Sequence, residues 1–115
     1  GNPTMRDLFF GLDVHSIGQK PYHSLTEQEF RAGRRSTTAL DVPAKLLRLP
    51  LHPAARVYGL PLVGGHVGAD AAACLLALGP HRADELVAIM DIGTNTELFL
   101  GNRHRLLAAS CPAGP

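Results

Sequence analysis

Met90-Asp91-Ile92-Gly93-Thr94-Asn95 is the stretch on which the reading of this sequence turns. Directly before it, Leu86-Val87-Ala88-Ile89-Met90 is continuously apolar, which suits a strand buried on both faces of a mixed or parallel sheet. Asp91 to Asn95 then makes a polar, glycine-containing turn, and Glu97-Leu98-Phe99-Leu100 returns as a second strand. Gly101-Asn102 reads as a tight hairpin turn and Arg105 to Ser110 as a third strand. A carboxylate at the end of an interior strand is costly to place unless it binds something. Gly93 lets the backbone approach a ligand closely. Successive amide N–H groups in such a turn form a concave anion site, to which Thr94 and Asn95 add polar side chains. A magnesium ion, reached through a water, suits Asp91. The competing reading is a plain hairpin turn, since Asp, Gly and Asn are ordinary turn residues. The apolar strand before it and the immediate strand return after it favour a site.

Working towards the N-terminus, Ala69 to Leu78 is a strong helix closed by Gly79-Pro80. Gly64-Gly65-His66-Val67-Gly68 leads into it from a short strand over Arg56 to Leu60. This glycine run invites a dinucleotide-binding reading, but Val63 stands where the pattern requires its first glycine. Asp70 fits the first turn of the helix, where a carboxylate complements the macrodipole. Pro43 opens a short helix, Ala44 to Leu49, which Pro50 and Pro53 end. Gln19 to about Val42 is mixed and polar, with a short strand or helix near Glu27 to Phe30. Asn2 caps a first helix that begins at Pro3 and carries Met5, Leu8, Phe9 and Leu12. The pattern is α/β. The chain opens without an initiator methionine and stops at a Gly-Pro suited to start a helix, so it reads as a piece of a longer protein.

With 115 residues, 45% hydrophobic and 18% charged, the chain can bury a modest core and is not a disordered segment. A formal charge of +1 leaves no polyanion-binding footprint. Arg31, Arg34 and Arg35 cluster without interleaved aromatic residues, which fits a solvated loop and argues against nucleic acid. No apolar run approaches the ~20 residues that cross a bilayer, and no signal-peptide pattern opens the chain. Cys74 and Cys111 lie in apolar surroundings and read as buried thiols of a reducing cytoplasm, with a single disulfide as the alternative. Two cysteines cannot make the usual four-thiolate iron–sulfur site. The six histidines are scattered, with no metal-ligand spacing, and read as surface residues. His66, beside the glycines, is the one whose substitution would be informative. No nucleophile elbow is present.

Met90 to Thr94 followed by Glu97 to Leu100 resembles the second phosphate motif of the acetate and sugar kinase/heat-shock cognate/actin superfamily. More specifically, four segments together resemble the ATPase portion of the reductive activators of corrinoid proteins. They are Gly1 to Met5 with Leu8 to Leu12, Val57 to Pro61, Gly65 to Asp70, and Asp91 to Asn102 with Leu106 to Ala108. The resemblance implies a partial actin-like/sugar-kinase (ribonuclease H-like) ATPase fold. Residues 1–85 would end its first half, and residues 86–115 would open its second half with the phosphate-binding hairpin. It implies a cytoplasmic protein that uses ATP and Mg2+ to drive electrons from a [2Fe–2S] centre, outside these residues, to the cobalt of a corrinoid protein. That corrinoid protein would serve a methyltransferase system, and the resemblance leaves homodimerisation open.

Carried over by position, Asp91, Gly93, Thr94 and Asn95 would line the nucleotide phosphates and magnesium, with Asp91 as metal ligand. Asp70 would orient water or metal, Gly68 would permit close approach, and Gly114 would belong to a later phosphate-side loop. The sequence departs from the family pattern at Pro3, where a threonine is expected, at Thr96, where a glycine is usual, and at Cys111-Pro112. A different kinase or ATPase of the superfamily, or a scaffold with a degenerate pocket, are the alternatives. Residues 1–115 alone are not expected to turn over ATP, since this fold needs phosphate-binding turns from both halves.

Overall fold

A computed structural model describes residues 3–112 of the chain. Helix α1 (Pro3–Phe9) opens them, with proline at its start as expected. Helix α2 (Leu25–Arg31) settles the ambiguous stretch around Glu27. Ser24 caps it, its Oγ accepting the Glu27 N–H at 3.1 Å, the local bond that draws serine to helix starts. Two of the clustered arginines pair rather than float: Arg31 meets Glu27 at 2.9 Å and Arg35 meets Glu29 at 2.8 Å.

Strand β1 (Leu40–Pro43) was not separable from its polar surroundings in the sequence. It pairs antiparallel with β2 (Arg56–Gly59), Leu40 opposite Gly59 and Pro43 opposite Arg56. Between them the expected helix over Ala44 to Leu49 is only a 3-10 turn, Ala44–Leu47, which ends with Arg48 in a left-handed conformation. The prolines at positions 43, 50 and 53 leave too few residues to build an α-helix there. Asp7 on α1 is fully buried, 3.0 Å from Arg6 Nη1, and Arg6 also donates to the Thr38 carbonyl, tying α1 to the approach to β1.

Helix α3 (Ala69–Leu78) matches the sequence reading, down to Gly79, whose left-handed conformation (φ 63°) returns its N–H to the Leu75 carbonyl. Strands β3 (Val87–Ile92), β4 (Asn95–Gly101) and β5 (Leu106–Pro112) follow as an antiparallel meander in the order β3-β4-β5. The second hairpin has a longer loop than a tight turn at Gly101-Asn102 would give: Asn102 N–H donates to the Arg105 carbonyl, and Asn102 Oδ1 accepts from His104 N–H at 3.0 Å. Gly101 is needed there, because a Cβ would stand 2.1 Å from the Arg105 oxygen.

The inner face of this sheet packs on α3. Phe99, fully buried, meets Val67 and Ala71, with Leu75, Ile89 and Leu106 around them. The outer face differs from the expectation of a strand buried on both sides in a mixed or parallel sheet. Here β3 is antiparallel to β4, and Met90, Ile92, Leu98, Leu100 and Leu107 are exposed. Only one side of the sheet has a helix against it among the described residues. Nor are both thiols buried: they are unpaired, Cys74 half-buried and Cys111 exposed. The reason is the same, since Cys111 pairs with Thr96 in the ladder and shares the uncovered face. No helix among the described residues is long and apolar enough to cross a membrane.

Candidate functional site

The inner face of the sheet changes character at its far end. Along β3 and β4 the residues facing α3 run Val87, Ile89, Asp91 on one strand and Phe99, Glu97 on the other, so the apolar core gives way to two carboxylates. Asp91 and Glu97 are direct partners in the ladder. Like charges placed opposite each other destabilise a hairpin unless something neutralises them. The chain reverses just beyond them through Gly93-Thr94, where Gly93 N–H donates to the Asn95 carbonyl at 2.9 Å.

Helix α3 brings the third carboxylate. Gly68, buried and extended, is its N-cap, and Asp70 lies in its first turn, with Oδ1 accepting the Ala71 N–H at 2.8 Å. Because Phe99 and Ala71 lock α3 onto the sheet, this helix start sits over the end of the hairpin. One oxygen each of Asp70, Asp91 and Glu97 lies within 4.8 Å of the others. Asp70 is exposed, Asp91 half-buried and Glu97 8% exposed; Glu97 is steadied by Ser110 Oγ of β5, which donates to its Oε1 at 3.0 Å.

These carboxylates line a cleft of about 650 Å³ that also takes in Gly68, Gly93, Thr94 and Asn95. The structure thus brings together six of the seven residues singled out in the sequence. The seventh, Gly114, lies outside the described residues. Glu97 was read only as a strand residue, although counting in twos from Asp91 across the turn would have placed it opposite that carboxylate. Thr4 and Ile17 also reach the cleft from elements distant in sequence, which no local pattern announces, and His66, the histidine singled out beside the glycines, lines it too.

The donor set suits a hard divalent cation. Magnesium binds oxygen, keeps several waters and uses few protein carboxylates, so oxygens spread over this distance fit a hydrated ion. The turn suits phosphate as well: Thr94 and Asn95 bring polar side chains to the cleft beside Gly93, where an added Cβ would stand 3.3 Å from the Asn95 oxygen and would have to push it aside.

Residues 1–83 match the family described as the RACo middle region, and residues 85–115 the family described as the C-terminal domain of RACo, the ASKHA domain. The chain belongs to the RACo family. Among curated proteins, the corrinoid activation enzyme RamQ of Eubacterium limosum is 35% identical over 115 residues, all of this chain and 17% of RamQ. Among solved structures, a reductive activator for corrinoid, iron-sulfur protein superposes on all of this chain and 17% of its own, with a TM-score of 0.83 and 34% identity. The chain therefore spans about a sixth of the RACo relatives it matches. Its fold is a partial actin-like ATPase fold, as the resemblance implied.

Proposed function

We propose that this RACo segment belongs to an ATP-driven reductive activator of corrinoid proteins and forms one wall of its nucleotide site. The observation that carries the reading is the meeting of Asp70, Asp91 and Glu97 beside the Gly93-Thr94-Asn95 bend, in a cleft large enough for a polyphosphate. Family membership supports ATP as the nucleotide, and the names of the relatives support a corrinoid protein as partner. In this reading Asp91 holds magnesium, Asp70 orients a ligand water or the ion, and Gly93, Thr94 and Asn95 bind phosphate oxygens. Gly68 keeps the helix start close to the ligand, and Gly114 lies on a later phosphate-side loop.

Magnesium, when bound, offsets the negative charge of the phosphates. The chain's own residues do the positioning. The Glu97–Ser110 hydrogen bond fixes one carboxylate across the ladder from Asp91, while the α3–sheet core fixes Asp70. In this reading residues 1–85 are the end of the first ATPase half and residues 86–115 the opening of the second. The [2Fe–2S] centre that supplies electrons lies outside this segment, and the protein works in the cytoplasm.

The test is direct. In full-length protein carrying this segment, Asp91→Ala should lower ATP hydrolysis by about a hundredfold or more, the scale of losing a preorganised electrostatic contact. It should also weaken binding of magnesium-ATP in calorimetry. Hydrolysis at the wild-type rate by the Asp91→Ala protein would remove Asp91 from the site, and no heat from wild-type protein at millimolar magnesium-ATP would end the nucleotide reading.

A further inference from the structure

The cleft carries one group that this reading leaves unused. His66 lies on its wall, in the loop that leads into α3. Its ring stands against that of Tyr22, centroids 5.4 Å apart and planes inclined by 52°. Tyr22 is held in place with some force: it is one of two non-glycine residues with positive φ (62°) among the described residues, a costly conformation for a bulky side chain. Its carbonyl oxygen packs so near Gly65 that a Cβ there would stand 3.2 Å away. The imidazole is therefore backed by an aromatic ring on a segment the fold keeps strained.

Charge gives this arrangement a use. Among the described residues that line the cleft, the acids are Asp70, Asp91 and Glu97, and the lone basic side chain is His66; no lysine or arginine is among them. A phosphate chain entering beside three carboxylates needs donors as well as a cation. An imidazole carries at least one ring N–H in either protonation state, so His66 can donate without any change of charge.

We infer that His66 is a phosphate-contacting residue of this cleft, its ring N–H donating to a non-bridging phosphate oxygen of the nucleotide, and that Tyr22 is the positioning residue that sets the ring. This rests on the nucleotide reading above and adds a named contact to it. The recognised chemistry is a polyphosphate rather than a base or sugar.

The experiment is calorimetric titration of full-length protein carrying this segment with magnesium-ATP and, separately, with adenosine. The proteins compared are wild type, His66→Ala, His66→Gln, Tyr22→Ala and Tyr22→Phe, with thermal melts confirming that each is folded. A hydrogen bond to a charged group sets the scale, so His66→Ala should weaken magnesium-ATP about tenfold or more and leave adenosine unchanged. His66→Gln, which keeps an N–H donor, should recover most of the loss. Tyr22→Ala should fall between, and Tyr22→Phe should bind as wild type, because the ring face and not the hydroxyl does the positioning. Equal magnesium-ATP affinity in wild type and His66→Ala would overturn the inference alone, as would an equal loss for adenosine. Failure of wild type to bind magnesium-ATP would overturn the nucleotide reading and this contact with it.

Discussion

Asp7 shows how much a single side chain can set in this chain. It is fully buried, and burial pushes its carboxyl above the ordinary carboxylate range, against the opposing pull of the Arg6 and Arg35 guanidinium groups. The folded protein therefore gives up this proton at a higher pH than the unfolded chain, whose carboxyl ionises near the usual pKa of about 3.9. Stability from this group is complete below that value and is lost as pH rises through the raised one. Asp7→Asn should flatten that part of the profile, so its melting temperature should fall less than wild type's as pH rises above about 4. Nothing in the sequence marked Asp7, since an aspartate flanked by Arg6 and Leu8 on a short helix looks like a solvated pair. Asp91 was different: an aspartate at the end of an unbroken apolar run is out of place by local rules alone, and such conflicts are where ligands are expected.

At the scale of elements, legibility followed the strength of the local signals. Helix α3 was readable to the residue because alanine-rich sequence ends in Gly79-Pro80, a stop with a mechanism. Strand β1 was hidden because four residues with two polar or imino members have no periodicity of their own; pairing with β2 makes them a strand. Helix α2 was half-legible, readable only as a short strand or helix near Glu27 to Phe30, because the Ser24 cap that fixes its start went unread. Ser24 is 2% exposed and spends its hydroxyl on the Glu27 N–H and on Thr26 Oγ1. Ser24→Ala should cost ~1 kcal/mol in urea unfolding, the usual value of a cap, with the loss confined to stability and no change in nucleotide affinity.

Across the whole molecule, the site exists because two matched family regions share one core. Asp70 comes from the first region and Asp91 and Glu97 from the second, and Phe99 is the contact that keeps them together. Phe99→Ala should destabilise the fold by ~3–5 kcal/mol in denaturant titration. In the proposed nucleotide site it should also weaken magnesium-ATP, since α3 would no longer be pinned over the hairpin. Local patterns could show each half of the cleft but not their meeting, because packing between a helix and a sheet leaves no local trace; only the family resemblance put Asp70 and Asp91 in one site.

The uncovered side of the meander has a practical result. Leu98 and Leu100 of β4 stand between Met90 of β3 and Leu107 of β5, an oily strip wetted along its length. Water contact of that kind is unfavourable by roughly 25 cal/mol for each Å². Handled by itself, this stretch of chain is a sticky object whose yield should drop as it is concentrated, and lysines substituted at Leu98 and Leu100 should keep it dissolved while the inward side, with its carboxylates, stays as it is.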